Sequence, residues 1–471
     1  MTPRLLCVLC VSAVSAFAAH PNYDDDVRPL FARRCFGCHN ASEMRSGLSL
    51  ESYAAVLRGG ASGNDVVPGR PGASLLLKAV MREEGAPQMP LGLPKLPESE
   101  IATIRDWIAA GLPENDASAL KAPAGPSAAY TPSSLNRPAG PPAMPESLPP
   151  VDLPEPARAN PVTALAASPW APLLAIAGHE RIYLFNLQTR ASAGELAFPE
   201  GIPYSLRFSR NGDLLLAAGG RGVQSGKAVL YDVRTGKRLA TAGNERDIVL
   251  AADLSPDGKR IALGGPGKIV RVFSVPDGKL LYECKKHTDW ITALEFSPDG
   301  SRLATGDRAG GILLWESATG AAAGALAEHK DAITALSWRG DSQLLASASE
   351  DGQIIVWNVA DGFPLATIAK AHAPKSGPAG VLDVQFSPDG HLFSVGRDST
   401  FRTWTADGKR IGAGVPNECP LTKVAASADS KLGIAGDYEG RILAWDAKGL
   451  VYSVPPPYRA AQAPAEAKSR P

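Results

Sequence analysis

The tetrapeptide Ser-Pro-Asp-Gly stands at residues 255–258, 297–300 and 387–390, and Ser-Arg-Asn-Gly at 209–212 is a variant of it. Asp-Gly and Asn-Gly between alternating apolar runs favour tight hairpin turns. An aromatic residue closes a β-like run seven times, at Phe185-Asn186, Tyr231-Asp232, Phe273-Ser274, Trp315-Glu316, Trp357-Asn358, Trp404-Thr405 and Trp445-Asp446. The steps between these aromatics are 46, 42, 42, 42, 47 and 41 residues. A period near 42 predicts seven all-β units.

This repeat resembles the WD-repeat β-propeller. The resemblance implies an all-β, seven-bladed propeller over residues 161–456, followed by a disordered tail, 457–471. Residues 162–198 can supply the four strands of the first blade and residues 423–454 those of the last. Closure of the ring by an exchanged strand from the preceding segment stays open.

The same resemblance implies a buried hydrogen-bonding set in two units. One set is His329, Ser347, Asp351 and Trp357, and the other is His372, Ser394, Asp398 and Trp404. In the family, His bonds to Asp, Asp to the hydroxyl, and the hydroxyl to the indole N–H. A third unit has His287, Thr305 and Trp315, with Ala309 where the acid is expected. The first, second and seventh units are degenerate. We interpret these histidines as structural groups that satisfy buried polar atoms.

A second informative stretch is Cys35-Phe36-Gly37-Cys38-His39. Two thiols at this spacing can add to the vinyl groups of one haem, and the following histidine can bind its iron. A thioredoxin-like redox pair expects a strand–helix context that is not apparent. A zinc site needs a second ligand pair, but residues 40–120 contain no Cys and no His. A structural disulfide is the remaining alternative. The pattern favours covalently attached haem c.

Helical signals surround this motif between residues 22 and 114. Asp24, Asp25 and Asp26 favour a helix start, after which Val27, Leu30 and Phe31 can share one face. Ser74 is predicted to cap a helix over residues 75–80. The clearest helix spans residues 97–111, with Gly111 as its stop. Ile101, Ile104 and Ile108 lie at helical spacing, and Trp107 flanks them.

A methionine thioether is a suitable sixth ligand of haem iron. Met89, in a proline-rich loop between the predicted helices, is the candidate. Met81 is the second choice, Met44 lies too close behind His39 to reach the opposite face, and Met144 falls in a linker. Met89 could instead simply fill a gap in the core.

Residues 27–112 resemble the planctomycete-type cytochrome c domain of exported bacterial proteins. Matching pieces include Val27–Phe31, the motif at 35–39, Gly47–Leu50, Val67–Gly69, Met89-Pro90 and Trp107-Ile108. The resemblance implies a small all-α, class I-like cytochrome c domain over residues 22–114. It also implies one covalent haem on Cys35 and Cys38, with His39 as proximal and Met89 as distal iron ligand.

The ends and the middle of the chain complete the organisation. A basic start, an apolar run and a small-x-small site at 16–18 predict a secretory signal over residues 1–18. The mature chain is therefore expected to be exported, to a periplasmic or extracellular location, without a membrane span. Residues 115–160 are rich in proline and predict an extended linker. Cys284 and Cys419 fall in different units and are expected not to pair with each other.

Formal net charge is zero, with 48 basic and 48 acidic residues, which argues against a nucleic-acid partner held by bulk charge. We favour an exported one-electron carrier with a redox partner protein, whose propeller docks a protein or peptide. No catalytic residue stands out. The alternatives are an oxidoreductase with a second cofactor or substrate in the propeller, and a haem-based redox or gas sensor.

Overall fold

The computed structural model describes residues 21–61, 65–83, 86–115, 137, 140–153, 160–275, 277–374, 377–446, 449–456 and 458. The predicted signal (1–18), most of the predicted linker and all of the predicted tail except Tyr458 lie outside these residues. The chain divides into two compact units, Met1–Ser127 and Ala128–Pro471. No helix of the described residues is both long enough and apolar enough to cross a bilayer.

The first unit is helical. Its elements are a π-helical turn (Tyr23–Val27), α1 (Arg28–Arg34), a 3-10 turn (Arg45–Gly47), α2 (Tyr53–Arg58), a 3-10 turn (Pro71–Ala73), α3 (Leu75–Met81) and α4 (Glu98–Ala109). The side chain of Asn22, one residue before the first turn, accepts a hydrogen bond from the N–H of Asp25. The acidic run at 24–26 therefore lies in the first turn, where the helix dipole favours it, and Asn22 supplies the cap.

The core of this unit forms around Trp107 of α4. The Phe31 ring meets the indole edge-on with centroids 6.3 Å apart, and the Tyr23 ring lies 6.0 Å away. The indole N–H donates to the carbonyl of Pro113 over 3.0 Å, so its one polar atom is satisfied. Val27, Leu30 and Phe31 are buried, as are the apolar residues predicted for α4. This packing holds α1 against α4.

Two helix ends test the sequence signals. Gly111 follows α4 with a φ of +89°, which a glycine adopts without strain, and it ends the helix as predicted. Ser74 precedes α3, but its hydroxyl makes no capping bond and instead donates to the carbonyl of Arg70 over 3.0 Å. It also accepts from the N–H of Val67, so the serine ties down the preceding loop. Ser74 is thus the N-cap residue of α3, as predicted, but its side chain bonds to the preceding loop and not to the helix.

The second unit is a seven-bladed β-propeller, and each blade is one four-stranded antiparallel sheet. Blade 1 contains β1 (Leu165–Ala167), β2 (Leu173–Ala177), β3 (Arg181–Asn186) and β4 (Ala191–Ala197). Blade 2 contains β5 (Ile202–Phe208), β6 (Leu214–Arg221), β7 (Ser225–Asp232) and β8 (Arg238–Glu245). Blade 3 contains β9 (Ala251–Leu254), β10 (Arg260–Gly264), β11 (Val270–Ser274) and β12 (Leu280–Cys284). Blade 4 contains β13 (Ile291–Phe296), β14 (Arg302–Asp307), β15 (Ile312–Glu316) and β16 (Ala322–Leu326).

Blade 5 contains β17 (Ile333–Trp338), β18 (Leu344–Ser349), β19 (Ile354–Asn358) and β20 (Phe363–Ile368). Blade 6 contains β21 (Val381–Phe386), β22 (Leu392–Gly396), β23 (Thr400–Trp404) and β24 (Arg410–Pro416). Blade 7 contains β25 (Leu421–Ala426), β26 (Gly433–Asp437), β27 (Ile442–Asp446) and β28 (Gly449–Val454). The seven-bladed architecture predicted from the repeat is confirmed.

Every blade uses four consecutive strands, so the described ring closes without strand exchange. The Thr422 hydroxyl of blade 7 donates to the carbonyl of Val162 over 2.8 Å, and the Val162 N–H donates to the carbonyl of Asp437 over 3.1 Å. Thr334 makes the equivalent bond from blade 5 to Val381 of blade 6 over 2.7 Å. Apolar residues of blades 1 and 7 also share one buried cluster. The closing boundary therefore uses the same kind of contact as an internal one.

Residues 140–153 of the predicted linker lie against the propeller. Ala143 is buried in the core that blades 1 and 2 share, and Leu148 packs against the same core. Glu146 forms an ion pair with Arg234 in blade 2 over 2.7 Å. Cys284 ends β12 of blade 3 and Cys419 lies between blades 6 and 7; both are buried and free. The two cysteines therefore lie in separate parts of the ring.

Candidate functional site

Residues 35–39 form one tight turn at the end of α1. The Cys35 N–H bonds to the carbonyl of Phe31 over 2.7 Å, which continues the helical pattern. The N–H groups of Cys38 and His39 both donate to the carbonyl of Cys35, over 3.1 and 3.0 Å. The two sulfurs and the imidazole therefore come from a single turn of chain.

The ring of His39 is oriented by the backbone. Its Nδ1 lies 3.3 Å from the carbonyl oxygen of Leu48. Because a carbonyl can only accept, Nδ1 carries the proton, and the lone pair of Nε2 is left for a ligand. Metal-binding histidines commonly have one nitrogen held in this way. The donor set and its orientation fit haem attached to Cys35 and Cys38 with His39 as iron ligand.

The acidity of Cys35 argues against the redox-dithiol alternative. Burial, with a further contribution from the negative charge of Glu100, raises the pKa of the Cys35 thiol to about 11. A reactive dithiol needs a lowered thiol pKa, because the thiolate is the nucleophile. The pKa of the Cys35 thiol is raised and not lowered, so this thiol is a poor nucleophile for disulfide exchange.

The four methionines considered as ligands occupy different surroundings. Met89 is partly buried against the core of the helical unit, and its N–H donates to the carbonyl of Ala79 in α3 over 3.0 Å. Met81 ends α3 and packs against the same core. Met44 is exposed, and Met144 packs against blade 1 of the propeller. Met89 and Met81 are thus the two methionines attached to the core that contacts Cys35.

The first propeller set lies in blade 5. The Nδ1 of His329 lies 2.9 Å from Asp351 Oδ2, and its Nε2 lies 2.8 Å from the Ser347 hydroxyl. The indole N–H of Trp357 donates to the same hydroxyl over 2.8 Å. Histidine therefore stands between acid and hydroxyl. The expected bond from Asp to the hydroxyl was wrong, because the ring fills the gap between them and bonds to both.

Blade 6 repeats this order. His372 lies 2.8 Å from both Asp398 and Ser394, and the indole of Trp404 donates to Ser394 over 2.8 Å. Although burial opposes it, hydrogen bonds from His372 and Arg402 keep the pKa of Asp398 below its usual value. Burial lowers the pKa of His372 despite Asp398, so this histidine is neutral near pH 7.

Blade 4 has a complete set that the sequence analysis missed. Asp307, the last residue of β14, reaches His287 Nδ1 over 2.8 Å. The Nε2 of His287 lies 2.7 Å from the Thr305 hydroxyl, which accepts from the Trp315 indole over 2.8 Å. The expectation that this set lacks its acid was wrong. The carboxylate comes from the strand end, two residues before Ala309.

Blade 7 also has a buried aspartate at the end of its second strand, but without a histidine partner. Asp437 is fully buried at the end of β26, and its Oδ1 accepts from the N–H groups of Glu439 and Arg441 over 3.0 and 2.8 Å. Asp307 accepts from Ala309 and Gly311 at the same offsets. Both acids lie in a Gly-Asp-x-x-Gly pattern, at 306–310 and 436–440. That repeated pattern could have located them.

Charged side chains of the inner strands link neighbouring blades along the central channel. Asp253 accepts from the N–H of Phe296 over 2.8 Å, and Glu295 accepts from the N–H of Trp338 over 3.3 Å. Burial raises the pKa of Glu295 to about 7, although the positive charge of Arg207 opposes this. These residues hold adjacent blades together, and no motif in the sequence marks them.

Fold and site together define a β-propeller protein with an N-terminal helical domain that carries a Cys-x-x-Cys-His turn. Residues 35–90 match the family described as Planctomycete cytochrome C, and residues 278–316, 322–358 and 363–405 match the WD domain, G-beta repeat family. The predicted resemblance to both families is confirmed. The three matched repeats contain the three complete Asp–His–hydroxyl–Trp sets. No curated protein matches the chain.

Proposed function

We propose that this protein is an exported c-type cytochrome that transfers single electrons and docks a partner protein through its propeller. Cys35 and Cys38 hold the haem, His39 is the proximal iron ligand and Met89 the distal one. When bound, haem c supplies a one-electron Fe(III)/Fe(II) couple. The helical unit is proposed to close around it as a class I-like cytochrome domain.

The observation that carries this proposal is the turn at 35–39. Its carbonyl contact orients His39 so that Nε2 is available, while the two sulfurs leave the same turn. The match of residues 35–90 to a cytochrome c family supports the same reading. The raised pKa of the Cys35 thiol disfavours that thiol as the nucleophile of disulfide exchange.

The propeller supports the docking half of the proposal. The side chains of His287, His329 and His372 are all hydrogen-bonded to aspartates of the propeller, so we interpret them as structural residues. Loops at the ends of a rigid scaffold are where propellers present binding residues. We therefore assign the electron transfer to the helical unit and the partner contact to the propeller.

The first test is the visible spectrum of protein exported from a host with cytochrome c maturation machinery. We expect one haem that stays attached after denaturation and acid–acetone extraction. Replacing both Cys35 and Cys38 with alanine should abolish this attachment. Extractable haem, or a colourless wild-type protein, would contradict the proposal.

The distal ligand is tested with a matched pair of variants. Met89→Ala should lower the reduction potential and let carbon monoxide bind the reduced iron, because a soft thioether favours Fe(II) and fills the sixth position. Met81→Ala removes a methionine from the same core and should leave the carbon monoxide response unchanged. If wild-type protein already binds carbon monoxide, the sixth position is open, and gas sensing replaces electron transfer as the proposal.

A further inference from the structure

Blade 3 lacks the His–hydroxyl–Trp set, and a cavity of about 460 Å³ lies there. By register with blade 4, Glu245, Leu263 and Phe273 stand where that blade has its histidine, threonine and tryptophan. All three line the cavity. Its volume lies within the range of ligand pockets. With these three residues in place of the set, the cavity is large enough for a side chain from another molecule.

Two of the charged side chains that line this cavity, Glu245 and Arg271, are paired with each other. Arg271 donates from Nη1 to Glu245 over 2.5 Å and from Nε to Glu283 over 2.9 Å. Beyond this ion pair, the lining includes the apolar side chains of Ile248, Ile269 and Leu280. A charged ligand would have to break an existing pair, whereas an apolar group needs only the space. The cavity therefore suits an apolar side chain.

The rim around the cavity is basic. Arg246, Lys268, Lys286 and Arg308 are exposed on the loops at this end of blades 3 and 4. Among the residues that the structure describes, no carboxylate lies within ion-pair distance of these four cations. The Lys268 ammonium donates to the carbonyl of Thr288 over 2.8 Å, which fixes its position but leaves its charge unneutralised. The same loops carry the carboxylates of Asp247 and Asp289, which accept hydrogen bonds from backbone N–H groups. The rim thus presents four cations and two carboxylates, and its net charge is positive.

An exposed aromatic residue lies beside the same loops. The Trp290 side chain is 40% exposed, and the Arg308 guanidinium stacks on it 5.1 Å from the ring centroid. The next residue, Ile291, donates its N–H to the carbonyl of Gly265, which lines the cavity. Tryptophan and arginine are the residues most enriched where protein interfaces gain their binding energy.

We propose that this surface, the blade 3–4 face, docks an acidic segment of a partner protein that inserts one apolar side chain into the cavity. Trp290 and Arg308 lie at the centre of the contact, and the four rim cations pair with carboxylates on either side of the inserted residue. The proposal rests on the docking role given to the propeller above and adds the location and the partner chemistry.

The test uses the full-length, haem-loaded protein and a fluorescein-labelled peptide, Glu-Asp-Glu-Leu-Asp-Glu-Asp, followed by fluorescence polarisation at low and high salt. Lys286→Glu and Arg308→Glu should each weaken binding about tenfold at low salt, since like charges then face each other. Trp290→Ala should weaken it by a similar factor at both salt concentrations. A peptide with serine in place of leucine should bind several-fold more weakly.

Lys259→Glu is the matched control. Lys259 is exposed in the turn between β9 and β10, whereas Lys268 lies in the next turn of the same blade, and successive turns of an antiparallel sheet lie at opposite ends. Lys259→Glu changes the net charge by the same amount as Lys286→Glu or Arg308→Glu. If the blade 3–4 face is the site, the affinity of the Lys259→Glu variant for the peptide should stay within about twofold of wild type.

Four results would overturn the proposal: no binding of the acidic peptide, equal binding of a lysine-rich peptide, an equal effect of the control, or equal affinity for the leucine and serine peptides. If single-stranded DNA of matched charge displaced the peptide with equal affinity, the surface would bind any polyanion, and the proposed protein partner would also be refuted. The visible spectrum of each variant is recorded in parallel. A normal haem spectrum with no peptide binding would refute the docking surface while leaving the cytochrome proposal standing.

Discussion

Replacing Thr305 with valine tests the buried set of blade 4. Valine keeps the shape of threonine but removes the hydroxyl that bonds to His287 Nε2 and the Trp315 indole. The carboxylate of Asp307 fixes the proton on Nδ1, and burial lowers the pKa of His287, so the ring is neutral. The hydroxyl thus donates to Nε2 and accepts from the indole. Removing it leaves two buried groups unpaired, at about 1–3 kcal/mol each, or about 2–6 kcal/mol together.

The measurement is urea unfolding of the full chain followed by tryptophan fluorescence, since seven of the eight tryptophans lie in the propeller. Thr305→Ser is the control, because it keeps the hydroxyl and loses one methyl group, at about 1 kcal/mol. The Thr305→Val variant should therefore have a clearly lower free energy of unfolding than the Thr305→Ser variant, although valine is the more apolar residue. Equal stability of the two variants would refute a contribution of the hydroxyl to the free energy of unfolding.

Three further predictions concern other buried groups. Because burial raises the pKa of Glu295 to about 7, the unfolded carboxyl ionises first, and stability should fall as pH rises from about 4.5 to 7. Glu295→Gln keeps an acceptor for Trp338 and should remove up to about 3 kcal/mol of this loss, measured by urea unfolding at both ends of that range. Asp437→Ala should cost about 2–4 kcal/mol in thermal unfolding, with Asp437→Asn intermediate, because two backbone N–H groups lose their acceptor. Trp107→Leu should cost about 2–4 kcal/mol in the helical unit alone, detected as an earlier loss of helical circular dichroism while propeller fluorescence is unchanged.

Local patterns were sufficient for much of the fold. The spacing of the closing aromatics located seven blades, since each blade repeats the same strands and turns. The apolar spacing in residues 97–111 located α4, whose Ile101, Ile104 and Ile108 are fully buried. The motif at 35–39 indicated a turn that carries both thiols and the histidine. Each of these signals is contained in one short stretch or in one regular period.

Contacts that depend on side-chain reach could not be predicted in the same way. Sequence spacing taken from blades 5 and 6 put the acid of blade 4 at Ala309, but a carboxylate at Asp307 reaches the same imidazole nitrogen from the strand end. Ser74 precedes α3 at the cap position, but its hydroxyl bonds to the carbonyl of Arg70 in the preceding loop and not to the helix. Asp253 and Glu295 each bond to a backbone N–H that is 43 residues further along the chain, and these groups meet only because the ring places their strands side by side. Haem attachment to Cys35 and Cys38 and iron ligation by His39 and Met89 all stay predictions.

The absence of strand exchange has a consequence for how such a chain can change. Because each described blade is built from its own four strands, a cut at any blade boundary would separate loops and packed side chains but no paired strands. A circularly permuted chain that starts at blade 4 and joins the old ends should therefore form the same ring. By the same logic, duplication or deletion of a whole blade is a single genetic step that leaves every other sheet intact. Divergence of one blade, as in blade 3, need not disturb its neighbours.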